Sequence, residues 1–85
     1  MFQALPPLTA YITKTIRDNL NVDHLEVQDL TGENSKFQAL VVSSEFEGKS
    51  MVQQHQMVYK ALAEGMREKI HALSLKTLTP KEWQS

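Results

Sequence analysis

Three histidines, His24, His55 and His71, are the side chains of this sequence best suited to chemistry at neutral pH. Imidazole titrates at about pH 6.5, and its neutral form offers a ring nitrogen to a metal. None of the three lies three or four residues from another, so no pair of ligands stacks on one helix face. The 85 residues contain no cysteine. That excludes a disulfide scaffold, thiolate zinc sites, CxxC redox chemistry and a cysteine nucleophile. It also removes the usual protein ligands of an iron–sulfur cluster. Soft-metal chemistry would have to use His or borrow a partner's sulfur.

The surroundings of each histidine set what it can do. His71 opens an apolar strand whose next same-face residues are Leu73 and Leu75. Two roles fit: a His at the rim of the core bonded to backbone, or a His held at a strand end to bind metal. His55 falls near the middle of the apolar arc of a helix. Burial there demands a partner for the ring, so a structural role is favoured over a ligand role. His24, beside Asp23 at the start of a strand, reads as solvated.

No catalytic constellation accompanies them. The three glycines (Gly32, Gly48, Gly65) are isolated, so there is no phosphate-binding loop. The carboxylates are scattered on polar faces, and no Ser follows the nucleophile-elbow spacing. The chain is expected not to be an enzyme.

Composition narrows the classes further. At 41% apolar and 22% charged, the chain is neither disordered nor fibrous. Its longest apolar run is Ala39-Leu40-Val41-Val42, against about 20 residues for a membrane span. MFQALPPL has the form of no secretory signal, so a cytoplasmic protein without membrane association is expected. The net charge of −1 conceals a split, with residues 1–48 at −4 and residues 49–85 at +3. A dedicated nucleic-acid binder usually carries a stronger basic stripe.

The elements that must position these groups follow from hydrophobic spacing. Leu8, Ile12, Ile16 and Leu20 predict a helix from Leu8 to about Asn19 or Asn21. His24 to Leu30 alternates as a strand, Thr31–Ser35 is a turn cluster, and Phe37 to Ser43 is a second strand. A short Gly/Asn loop between them predicts a β-hairpin. Ser44-x-x-Glu47 and Ser50-x-x-Gln53 both fit a capping box. The helix that follows should run to about Arg67. Its predicted apolar arc holds Met51, Val52, His55, Val58, Tyr59, Leu62 and Met66. Ile70 to Thr77 alternates as a third strand, and Thr79-Pro80-x-Glu82 starts a last short helix that frees Trp83 to dock on the domain.

The fold class is therefore α/β (α+β), one α-β-β-α-β-α domain over residues 1–85. A mixed three-stranded sheet carries the helices on one face.

The string VVSSEFEGKSMVQQHQMVYKALAEGM followed by IHALSLKTLTPKEW closely resembles the BolA family. Five separated motifs carry the resemblance in order. They are Val41–Ser43, Phe46-x-Gly48-Lys49, His55-x-x-Val58-Tyr59, Ile70-His71-Ala72-Leu73 and Thr79-Pro80-x-Glu82-Trp83. It covers the chain from about Ile12 to Trp83 and implies a compact domain similar to type II KH modules.

The resemblance also implies a partner, a monothiol glutaredoxin sharing a bridged two-iron, two-sulfur cluster. The glutaredoxin and glutathione supply thiolates, and the family's C-terminal histidine maps onto His71. His55 is a family position as well, and stands as the alternative metal ligand. Imidazole in place of a thiolate lowers the cluster's negative charge and makes ligation sensitive to pH. In many relatives the loop after the first strand offers a second ligand, His or Cys. Here that loop is TGENSKF, with Lys36 before Phe37. Lysine is a poor ligand at neutral pH but attracts carboxylates, so Gly32, Asn34, Ser35 and Lys36 are expected to shape the partner contact.

The competing expectation is a KH-like DNA-binding transcriptional regulator, contacting phosphates weakly through Lys49, Lys69 and Lys76. Against it, the stretch Phe46-Glu47-Gly48-Lys49 holds one glycine where the KH clamp has a GxxG loop. A third possibility is an adaptor that binds glutaredoxin without ligating anything. The free chain is expected to be a monomer or a weak dimer.

Overall fold

The computed structural model describes residues 8–32, 36–62 and 72–84. The first helix, α1, spans Leu8–Asn19 and buries Ile12 and Ile16 completely. Leu20 continues the same stripe one turn on. The sequence spacing thus places α1 and its buried face correctly.

Strands β1 (His24–Asp29) and β2 (Phe37–Val42) pair antiparallel, His24 opposite Val42 and Asp29 opposite Phe37. The hairpin closes with the Leu30 amide donating to the Lys36 carbonyl at 2.8 Å. Asp29 Oδ1 accepts from the amides of Thr31 and Gly32, and Gly32 sits at φ +75°, which favours glycine.

A single 3-10 turn, Ser44–Phe46, follows β2. Its cap is Ser43, whose Oγ accepts from the Glu45 amide, rather than the expected Ser44. The Ser44 amide instead donates to Asp23, so the Ser44-x-x-Glu47 box does not form. Gly48, at φ +77°, then turns the chain into α2 (Met51–Leu62). The Ser50-x-x-Gln53 box does form. The Gln53 amide donates to Ser50 Oγ at 3.2 Å, and the Ser50 amide donates to Gln53 Oε1 at 2.9 Å. The expected continuation to Arg67 lies outside the described residues.

Strand β3 (Leu73–Leu78) pairs parallel to β2, Phe37 beside Leu73 and Val42 beside Leu78. The order β1-β2-β3 makes the mixed sheet that the long helical connection predicted. The strand was expected from Ile70. Ile70 and His71 lie outside the described residues, Ala72 belongs to a 3-10 turn, and the far end reaches Leu78 rather than Thr77. The last helix, α3 (Pro80–Gln84), carries its predicted cap: the Glu82 amide donates to Thr79 Oγ1 and the Thr79 amide to Glu82 Oε1.

Helices α1 and α2 cover one face of the sheet. Phe37, Ala39, Val41 and Leu73 meet Ile12, Ile16, Val58 and Leu62 there, with Phe46 closing one end. The fold class matches the sequence expectation. The short α3 is the exception to the one-sided layering, because its Trp83 ring stacks on His24 at 4.6 Å over the opposite face.

The buried line of α2 differs from the predicted arc. Gln54, Val58 and Leu62 face the core, whereas Met51 and Val52 are 66% and 65% exposed. At 100° per residue that is a rotation of about 60° away from His55 and toward Gln54. The cause is a polar lock: Thr77 Oγ1 donates to Gln54 Oε1 at 2.6 Å, and Gln54 Nε2 donates to the carbonyls of Phe46 and Lys49. A fully bonded amide packs into the core as well as an apolar group, so the helix turns it inward.

Candidate functional site

The two ends of the sheet gather different side chains. At one end β2 and β3 begin side by side, with Phe37 in register with Leu73. Lys36 lies just before Phe37 and is exposed, and Gly32 is exposed in the β1–β2 turn. Of the residues expected to shape a partner contact, these two therefore share one end of the sheet with the start of β3. Gly32 has a backbone part there, fixing the turn that the Asp29 carboxylate caps. Asn34 and Ser35 lie outside the described residues, and so does His71.

His55 is only half-buried, which corrects its expected place in the middle of the packed arc. Its ring meets Tyr59 edge to face at 6.2 Å and 80°. The rotation of α2 moves it from the core to the wall of a groove of about 310 Å³, beside Lys49, Leu75, Lys76 and Glu82. A ligand role needs this access, and Glu82 is the carboxylate that lines the same groove. Among the described residues no three His, Asp or Glu side chains converge on a point that could hold a metal ion.

The same groove unites two of the three lysines expected to meet phosphates, Lys49 and Lys76. Lys69 lies outside the described residues. The acid Glu82 stands on the groove wall with them, so the potential is mixed rather than uniformly positive.

His24 is not merely solvated. It is the first residue of β1, its ring stacks on Trp83 at an interplanar angle of 18°, and its Nε2 lies 2.7 Å from Glu26 Oε2. This arrangement escaped the sequence reading, although one signal was present: His24 and Glu26 are two apart in a strand and so share a face. Glu26, Gln38, Leu40, Lys76, Leu78 and Trp83 line a second groove, of about 250 Å³, on that open face.

No helix among the described residues is long and apolar enough to cross a membrane.

Comparison with known proteins agrees with this architecture. A family model described as BolA-like protein matches residues 15–82. The chain is similar to BolA-like protein 2 of Mus musculus, 43% identical over 75 residues that cover 86% of each chain. It is also similar to the DNA-binding transcriptional regulator BolA of Haemophilus influenzae, 38% identical over 65 residues, 76% of this chain and 62% of that protein. Among solved structures, the BolA domain of SufE1 from Arabidopsis thaliana superposes with a TM-score of 0.79 at 30% identity, covering 93% of this chain and 99% of that one. With the family model spanning both strands of the hairpin, α2, β3 and the start of α3, the chain belongs to the BolA-like protein family.

Proposed function

We propose that this chain is an interaction module of iron–sulfur or iron-regulatory metabolism, not an enzyme, that binds a monothiol glutaredoxin. In this reading His71 supplies one imidazole to a two-iron, two-sulfur cluster shared across the complex, and glutaredoxin and glutathione supply the thiolates. The observation that carries it is the donor set. With no cysteine in the sequence and no converging metal-binding trio among the described residues, this chain offers single imidazoles and depends on a partner for sulfur. Family membership supports the choice of His71, the histidine of the motif Ile70-His71-Ala72-Leu73, two residues before β3 begins.

The exposed Lys36 and the turn at Gly32 fit a docking edge on the same end of the sheet. Lys36 adds positive charge where glutathione carboxylates would approach, and its ammonium ligates no iron. His55 remains the alternative ligand, reachable from its groove.

The test is to mix the chain with cluster-loaded monothiol glutaredoxin and record visible circular dichroism. Wild type is expected to convert the glutaredoxin spectrum to a new one, and His71→Ala to lose that conversion while still folding by far-UV circular dichroism. An unchanged complex spectrum in the variant would reject His71, and a comparison with His55→Ala would then identify the ligand.

One observation favours a second reading, DNA binding: Lys49 and Lys76 meet in one groove. The name of the Haemophilus influenzae relative points the same way. Phosphate contacts make log K fall steeply with log salt. Replacing Lys49 and Lys76 together by Ala is expected to reduce that slope by about 2, and an unchanged slope would place any DNA contact elsewhere.

A further inference from the structure

The open face of the sheet carries a pattern that the glutaredoxin reading does not use and of which the DNA reading takes only Lys76. Strand register arranges it in three rows, His24–Val42–Leu78, Glu26–Leu40–Lys76 and Gln28–Gln38–Ser74. Trp83 lies over the first row, stacked on His24. The other two rows are left uncovered by α1 and α2, which pack on the opposite face. Leu40 sits half-buried at the centre of the face, flanked by Glu26 on β1 and Lys76 on β3, both exposed.

The middle row is complementary to itself. Strands stand about 4.8 Å apart, so Glu26 and Lys76 rise about 5 Å to either side of Leu40. A two-fold axis parallel to β2, lying above Leu40 between the two faces, would bring a second copy face to face. It would set Leu40 on Leu40, Glu26 opposite Lys76 of the second copy, and Lys76 opposite Glu26 of the second copy. The neutral row obeys the same symmetry, Gln38 on Gln38 and Gln28 opposite Ser74.

We propose that this open sheet face is an isologous contact between two copies of this chain. Two-fold contacts of this kind are the commonest route to dimers because one patch serves twice. The balance of charge selects this occupant over others. The face carries one carboxylate, Glu26, whose Oε2 lies 2.7 Å from His24 Nε2, and one ammonium, Lys76, on opposite edges, a balance that gives a polyanion no net attraction. Trp83, 42% exposed, stands at the edge of this face over its first row.

The face is small. Three strands of six residues span about 20 Å by 14 Å, well below the area of a standard interface of about 800 Å² per partner. The dimer is therefore weak and concentration-dependent.

Sedimentation velocity of the whole chain, from about ten micromolar to about one millimolar, tests this. Wild type should shift from monomer toward dimer across that range. Glu26→Lys and Lys76→Glu each replace two attractions by two repulsions and should weaken the dimer about tenfold. The Glu26→Lys/Lys76→Glu exchange should recover it. An equimolar mixture of the two single variants should also associate, because each then meets its opposite. Both positions are exposed, and far-UV circular dichroism of each variant is the check that it folds. A chain that stays monomeric throughout, a dimer untouched by either reversal, or a charge exchange that restores nothing would overturn the proposal.

Discussion

Ser43 shows how one side chain sets the geometry on which the fold turns. It is fully buried, yet every polar atom is engaged. Its Oγ donates to the Asn21 carbonyl at 2.7 Å and accepts from the Glu45 amide at 3.1 Å. Its amide donates to the Leu78 carbonyl, and its carbonyl accepts from the Phe46 amide. Four segments are thereby held at one point: the α1–β1 connection, the end of β2, the 3-10 turn and the end of β3. A buried hydroxyl that loses its partners leaves orphan groups costing about 1–3 kcal/mol. Ser43→Ala is expected to lower stability by about 2 kcal/mol, because the Asn21 carbonyl and the Glu45 amide both lose a partner. A urea midpoint that falls with unchanged slope would show this, and an unchanged midpoint would mean that water replaces the hydroxyl without loss. The Val41–Ser43 motif that marks the family thus ends on a residue with a structural reason to be serine.

At the scale of elements, what the sequence made legible and what it hid divide along physical lines. Local chemistry was readable: the caps at Ser50 and Thr79 form as the S/T-x-x-E/Q spacing predicts, since both partners lie within one turn. The alternation of β2 and β3 was readable too, because a strand buried on one face repeats every two residues. The orientation of α2 was not. Apolarity pointed the helix at His55, but Met51 and Val52 occupy its first turn and stay exposed. The lock from Gln54 to Thr77 spans 23 positions in sequence. No periodicity count weighs a glutamine as a core residue, so a long-range polar pair overrode the hydrophobic arc. The same limit explains the Ser44 cap. Asp23 takes the Ser44 amide from 21 residues away, and Ser43 caps in its place. The candidate site inherits this division. His55 changes from core residue to groove wall because α2 rotates, and Lys49 and Lys76 share that groove through tertiary packing alone.

At the scale of the whole molecule, the two faces of the sheet are stabilised differently. One is packed with α1 and α2 into an apolar cluster that includes Phe37, Ala39, Val41 and Leu73 of the sheet. The other carries Trp83 at one end, stacked on His24. Val42 lies at that end: it is fully buried and yet lies outside the main cluster, in the row between Leu78 and His24, on which the indole stacks. Removing the ring by Trp83→Ala is expected to cost about 1–3 kcal/mol, the buried part of the indole together with its stacking on His24. Trp83→Phe should retain much of it. Since Trp83 is the sole tryptophan, its fluorescence reports this cap alone, and circular dichroism reports the helices. In a chain that unfolds as one unit the two probes melt together. Measured at micromolar concentration, where the sheet-face contact between copies is dissociated, coincident transitions are expected. A fluorescence transition that precedes the loss of helix would instead make α3 a latch that opens on its own and bares the open face.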